Sequence, residues 1–356
     1  MAVSARADAR SGRIRALPLL VSAALAVAGC GSDGDPAAGA VRAAGDSSDT
    51  SADDAAQASA EWPVTVENCG TQLTFDAPPE RVVTLNRPAT EILLALGLRD
   101  RITAVAGAPD ESADPSVTDD FHALDVLVEK DYPSAEALLN TEPDFLYSAY
   151  PSAFRDTGIG SRETFHELGI PTFLSHGRCE NRDESQPLTI EEIWSEIEQM
   201  GEVFGVQDRA AEFVEGQREQ LAQTLASLEN LPPMSVFWWD MKTDTPFVGG
   251  CCGAPGMIID AVGFENAFAD LPGHWADASW EQVVERDPDL IVIADFGDGD
   301  LDTKLDFINS DPTLSQLRAV REGAIVPLPF HSTVPGIQTV TTVGVLADAA
   351  RELADE

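Results

Sequence analysis

The chain has almost no lysine. Only Lys130, Lys242 and Lys304 occur in 356 residues, and all basic residues number 22 against 61 acidic ones. The formal charge of −39 repels nucleic acid and anionic lipid headgroups, which excludes both as electrostatic partners. It also keeps an exposed protein soluble. Long apolar runs are missing. The most apolar stretch, Leu17–Ala28, has twelve residues, whereas a helix needs roughly 20 to cross a bilayer. Histidine is scarce and scattered, at His122, His166, His176, His274 and His331. A bare-metal site needs three or four ligands. His176 and His331 fall at expected strand ends, but two ligands are too few, so no metal site is expected. No nucleophile elbow, phosphate loop or paired metal motif is present, so neither an enzyme nor a cofactor is expected.

What is there begins at the N-terminus. Arg6, Arg10, Arg13 and Arg15 precede or open the apolar run, which closes in Val27-Ala28-Gly29-Cys30. A basic start, a short apolar core and small residues before a cleavage point make residues 1–29 a secretory signal. The ending resembles the bacterial lipobox, in which the cysteine thiol is acylated and becomes the mature N-terminus. An ordinary signal with an incidental cysteine is the alternative. Cleavage removes four arginines and one aspartate and moves the formal charge to −42. A lipid on Cys30 therefore has to anchor the protein against its own charge, at the outer face of the cell membrane. Residues 30–61 are rich in Gly, Ala, Ser and Asp without an apolar period and read as a flexible tether.

Order is expected from Trp62. Val64–Val66 and Thr71–Phe75 flank Asn68-Cys69-Gly70, a hairpin signal. Short apolar strands then alternate with helices: strands at 82–85, 102–106, 145–147 and 172–174, helices at 89–96 and 135–139. From 189 to 231 a long helical period runs through Ile190, Ile193, Trp194, Ile197, Met200, Val203 and Phe204. Gly205 interrupts it, and it resumes with Asp208 as N-cap. The α/β alternation restarts with strands at 235–239, 290–294 and 324–328 and helices at 255–262 and 336–353. The expected fold is thus two Rossmann-like α/β lobes, residues 62–188 and 232–356, with mainly parallel sheets, joined by a long rigid connector helix over 189–231. Ser134-Ala-Glu136 is followed by Pro143-Asp144-Phe145-Leu146, and Ser279-Trp-Glu281 by Pro288-Asp289-Leu290-Ile291, with the same spacing. One copy falls in each lobe, as in two similar lobes.

Arg81-Val-Val-Thr-Leu with Thr90-Glu91-Ile-Leu-Leu-Ala-Leu-Gly97, the paired Ser-x-Glu…Pro-Asp units, and Gly256-Met-Ile-Ile-Asp-Ala-Val-Gly263-Phe-Glu-Asn266 together resemble the iron-siderophore and cobalamin class of periplasmic binding proteins, over residues 64–353. The resemblance implies ligand held in a cleft between two α/β lobes, delivery to an ABC permease with its ATPase, and docking through one surface glutamate per lobe, here Glu136 and Glu281. Two like charges at a fixed spacing give a steered, oriented dock.

Ligands of open α/β lobes sit at the carboxyl ends of strands. Those ends bring forward Arg87, Tyr150, Arg178, Trp238, Trp239 and His331, with Arg155 from a cluster that includes Arg162 and Arg182. The last two are expected to pair with nearby acids at the surface. Trp238 and Trp239 alternate across their strand, so one of them is expected to face the cleft. Arginines fork onto carboxylates, catecholates or phosphates, and aromatics stack on flat ligands. The expected ligand is an anionic, partly planar metal chelate, a ferric siderophore. Cobalamin, haem or an anionic deazaflavin-type cofactor are alternatives within the class. A surface adhesin or structural lipoprotein is the alternative outside it. A monomer is expected. With Cys30 lipidated, four cysteines remain in an oxidising compartment. Cys69 and Cys179 share the first lobe and form the simplest pair. Cys251 and Cys252 make either a vicinal disulfide or a free pair.

Overall fold

The computed structural model of the chain describes residues 62–107, 113–229 and 231–355. The expected signal, Cys30 and the tether lie outside them.

The first elements are β1 (Val64–Asn68) and β2 (Thr71–Phe75), an antiparallel hairpin with Val64 opposite Phe75. Its turn residues, Cys69 and Gly70, have φ of 55° and 82°, the left-handed pair favoured in two-residue hairpin loops. A βα alternation follows: β3 (Val82–Thr84), α1 (Arg87–Ala95), β4 (Ile102–Ala106), α2 (Thr118–His122), β5 (Val126–Val128), α3 (Ala135–Leu139), β6 (Phe145–Ser148), α4 (Arg162–Glu167) and β7 (Thr172–Leu174). Strands β3 to β7 form one parallel sheet in the order β5-β4-β3-β6-β7. Both faces are covered. Phe145 and Tyr147 of β6 enter one core, while Leu146 between them enters a second with Leu138, Phe154 and Phe165. Strands buried on both sides read as unbroken apolar runs, which is how they stand out in the sequence.

The connector is helical but folded in two, α5 (Ile190–Phe204) and α6 (Gln207–Ala226). Gly205, at φ 69°, closes the first helix in the left-handed conformation. The second starts at Gln207 after an N-cap, Val206, whose side chain makes no capping bond. Asp208 therefore lies in the first turn and is not the N-cap expected from the sequence. The two helices approach closely because Gly201 has no side chain: a Cβ there would stand 2.5 Å from the Cβ of Ala210.

The second α/β region comprises β8 (Ser235–Met241), β9 (Phe247–Gly249), α7 (Ala254–Ala261), β10 (Glu265–Asn266), β11 (Trp275–Asp277), α8 (Trp280–Arg286), β12 (Leu290–Asp295), α9 (Asp300–Ser310), α10 (Arg318–Arg321), β13 (Ile325–Pro329) and α11 (Thr339–Asp355). Its sheet runs β11-β9-β8-β12-β13, with β10 beside β8. The β8-β12-β13 centre is parallel, and β9 and β11 extend it antiparallel. Helix α5 packs against β1 and α6 against α11. One hydrophobic core passes through these helices from the first sheet to the second.

The repeated motif is the same joint in both lobes. Ser134 Oγ caps α3 by accepting from the Ala137 amide at 3.2 Å, and Ser279 Oγ caps α8 by accepting from Gln282 at 3.3 Å. Six residues after each glutamate stands a left-handed residue, Glu142 (φ 50°) and Asp287 (φ 37°), followed by Pro-Asp. The Asp144 amide donates to the Arg81 carbonyl at 3.0 Å, and the Asp289 amide to the Ser235 carbonyl at 2.9 Å. Each aspartate carboxylate accepts in return from the same residue's amide, at 2.8 Å in both cases. Glu136 and Glu281 are exposed in the first turns of α3 and α8.

Candidate ligand-binding cleft

The cleft side of the first lobe is built from residues just beyond its strands. Asn86, after β3, caps α1 with its Oδ1, 3.4 Å from the Ala89 amide, and accepts from the Ala149 amide at 3.0 Å. Its Nδ2 donates to Ser148 Oγ at 2.8 Å. This one side chain ties the ends of β3 and β6 together and fixes Arg87 and Tyr150 on either side. Arg87 is buried. The Tyr150 hydroxyl is buried and has no hydrogen-bond partner among the described residues, and burial pushes its pKa up. Arg178 follows β7. Its guanidinium carbon stands 5.7 Å from the Tyr150 ring centroid and 4.8 Å from that of Trp275, which belongs to the second lobe. Arg178 makes no ion pair among the described residues, and burial lowers its pKa. A cation held between two aromatic faces gains from both quadrupoles while keeping its N–H groups for another acceptor.

The second lobe faces it with Asp240 near the end of β8. Burial pushes the Asp240 carboxyl up to about 6, against the pull of Lys304 and Arg178. Lys304, almost fully buried, donates to the carbonyls of Asp240 and Ala294, each at 2.6 Å, and to Asp300 Oδ2 at 2.7 Å. It thereby satisfies the carbonyls where β8 and β12 end. Phe296, after β12, stacks on Phe330, after β13, at 4.4 Å and 23°. His331 stands 5.3 Å from Phe330. A second contact between lobes joins Gln338 Nε2 to both carboxylate oxygens of Glu91 at 3.1 Å. The Asp114 amide also donates to Glu91, at 3.2 Å. Burial raises Glu91 to about 7, opposed by these hydrogen bonds and by Arg87.

The structure gathers Arg87, Tyr150 and Arg178 and leaves other expected residues outside. Arg155 is exposed beside Tyr132, whose hydroxyl is 2.7 Å from Ser152 Oγ. Trp238 and Trp239 are both wholly buried, so neither faces the cleft as expected. The strand continues to Met241, and Trp239 packs on Trp280 at 4.9 Å. Arg182 pairs with Glu192, as expected. Arg162 is in no ion pair among the described residues; it donates to Asn68 Oδ1 at 2.6 Å and to the Thr172 carbonyl at 2.9 Å. His176 is bound to Gln199 of α5 at 3.1 Å. Trp275, Lys304 and Glu91 were not singled out from the sequence as site residues. Trp275 lies on a three-residue edge strand with no period to reveal it. Cys69 and Cys179 are joined, with Cα atoms 5.1 Å apart, and so are Cys251 and Cys252.

Two α/β lobes with aromatics and arginines meeting at their strand ends is a solute-binding geometry. The periplasmic binding protein family matches residues 82–331. The chain belongs to that family. This binding protein is 25% identical over 283 residues to the uncharacterized ABC transporter substrate-binding lipoprotein YvrC of Bacillus subtilis, covering 78% of this chain and 79% of the relative. It is 24% identical over 217 residues to the vitamin B12-binding protein of Vibrio parahaemolyticus, covering 60% and 70%. Among solved structures, an ABC-type Fe3+-hydroxamate transport system from Saccharomonospora viridis superimposes with a TM-score of 0.69 at 26% identity, covering 81% of this chain and 99% of that one. The binding protein is therefore an extracytoplasmic, non-enzymatic component of an ABC importer of the iron-siderophore, B12 and haem class. Members of this family deliver their ligands to an ABC permease. Among the described residues, no helix is long and apolar enough to cross a membrane.

Proposed function

We propose that this binding protein captures a ferric siderophore in the cleft between its lobes and hands it to an ABC permease, docking through Glu136 and Glu281 while a lipid on Cys30 holds it at the membrane. The observation that carries the ligand reading is Arg178. In a chain of charge −39, a largely buried arginine without an ion-pair partner among the described residues, clamped between Tyr150 and Trp275, is a place prepared for an anionic ligand with flat donor groups. The Fe3+-hydroxamate transport relative supports an iron chelate. A second reading, a tetrapyrrole or corrinoid, is favoured by the stacked Phe296–Phe330 pair next to His331.

Tryptophan fluorescence titrations with ferric hydroxamate, catecholate and citrate complexes, alongside haem and cyanocobalamin, separate the two. Saturable quenching by one ferric siderophore is expected, with Arg178→Ala weakening it about tenfold or more. Saturation by haem or cyanocobalamin alone replaces the siderophore reading with the second one. An unaltered affinity in Arg178→Ala removes the residue from the site.

A further inference from the structure

Cys251 and Cys252, joined to one another, stand behind the cleft. They occupy the turn between β9 and α7, and Cys252 is buried. Three successive amides of this turn hold one opposite segment. Gly250 donates to the His274 carbonyl at 3.0 Å, Cys251 to that of Leu271 and Cys252 to that of Gly273, both at 3.2 Å. Residues 271–274 belong to no helix or strand and lead directly into Trp275, whose ring centroid stands 4.8 Å from the Arg178 guanidinium carbon. The two segments touch closely: a Cβ on Gly253 would be 2.7 Å from the Cβ of His274.

The pair also reaches the arginine's side of this contact. The Cys252 carbonyl accepts from the Leu188 amide at 3.0 Å. Leu188 in turn packs on Gly177, the residue before Arg178, where a Cβ would be 2.7 Å from Leu188 Cδ1. One dipeptide thus backs both partners of a contact between lobes, Trp275 through its amides and Arg178 through its carbonyl. A disulfide between neighbouring residues closes a small ring around their shared peptide bond. The ring restricts rotation about the Cys251 Cα–C and Cys252 N–Cα bonds, the soft dihedrals that aim the Cys252 amide and carbonyl.

We infer that the Cys251–Cys252 disulfide is a positioning element of the ligand cleft: it holds Trp275 on Arg178, and opening it weakens the capture of an anionic ligand by Arg178. This rests on the role proposed for Arg178 as the ligand's partner. Opening by a dithiol breaks the S–S bond and leaves two cysteine thiols, which take up two electrons and two protons while the dithiol closes into its own disulfide.

The test has one arm that needs no ligand. The protein is labelled with fluorotryptophan, so that each of its six tryptophans gives a fluorine NMR resonance, and Trp275→Phe identifies that of Trp275. Replacing both cysteines, Cys251→Ser with Cys252→Ser, is expected to shift or broaden the Trp275 resonance and to leave those of Trp62, Trp194 and Trp280 in place. Arg178→Met, which removes the charge, is expected to shift the same resonance and to leave the serine substitutions a much smaller further effect. A Trp275 resonance unmoved by the serine substitutions overturns the inference, as does an equal displacement with and without Arg178. If the serine variant loses its dispersion at every position, dithiothreitol opens the pair in the wild type instead, and the same two outcomes decide. Mass spectrometry of alkylated peptides then locates the opened bridge, and Cys69→Ser with Cys179→Ser gives the effect of the other one. In the second arm, titration with the ferric hydroxamate, catecholate and citrate complexes is expected to show about tenfold weaker binding by the Cys251→Ser/Cys252→Ser variant. Equal affinities overturn the inference. Failure of the wild type to bind any of these chelates removes the siderophore reading and leaves the resonance test to decide the positioning.

Discussion

At the scale of single residues, the cleft runs on buried charges whose neighbours decide their state. Glu91 is the clearest. Burial holds a proton on it up to about pH 7, whereas an unfolded glutamate releases its proton near 4.5. Folding therefore takes up a proton between these values. The stability contributed by this group is full below about 4.5 and lost as pH rises through about 7. Gln carries the neutral shape at every pH and keeps an oxygen for the Asp114 amide. Glu91→Gln is expected to melt a few degrees above the wild type at pH 7.5, with the gap closing as pH falls to 5. Thermal melts of both proteins across that range check it, and a gap independent of pH would show that Glu91 is ionised throughout. Arg87 and Tyr150 were legible as residues just beyond β3 and β6, because strands buried on both faces end where their apolar runs end. Trp238 and Trp239 misled because the end of β8 is set by its pairing with β9 and β12, which no local pattern reveals.

At the scale of elements, the paired α5 and α6 carry the clearest mechanical demand. Gly201 stands where α5 meets Ala210 of α6, and any side chain there collides with a Cβ 2.5 Å away. Gly201→Leu is expected to lower stability by about 1–3 kcal/mol through overpacking, read as a drop in the midpoint of urea unfolding. Gly205→Ala, which puts a side chain on a residue at φ 69°, is expected to lose about 1 kcal/mol. Equal losses in the two variants would mean that the helices are not in tight contact. The long, strongly periodic segments and the strands buried on two faces could be read directly. Helices α2, α4 and α9 and strands β5, β9, β10 and β11 could not. These helices are short or polar, and the strands have two or three residues and take their structure from neighbours.

At the scale of the whole molecule, two features set what the protein can do. A single hydrophobic core crosses from one lobe to the other through α5, α6 and α11. Such a joint favours small rocking movements over wide opening, because large rotations would break packed core. Two copies of one capped helix also hold Glu136 and Glu281 at a separation set by the rigid frame. Replacing both with Ala is expected to leave chelate binding by the purified protein unchanged and to abolish uptake by cells. Normal uptake of the radiolabelled ferric chelate by the double variant would end the docking role.

The sequence alone determined what depends on local pattern. Its alternating strands and helices, the Ser-x-Glu…Pro-Asp repeat and the βα crossovers specify two parallel α/β lobes, since a parallel strand pair needs a crossover and helices on both faces. The repeat also identified the two exposed glutamates, because a cap and a turn are chemistry within a few residues. The tertiary structure decided which side chains meet. Arg178 lies between Tyr150 and Trp275, and Glu91 against Gln338, across 97 and 247 residues of chain. Such contacts depend on how two sheets close on one another, and no short-range period encodes that.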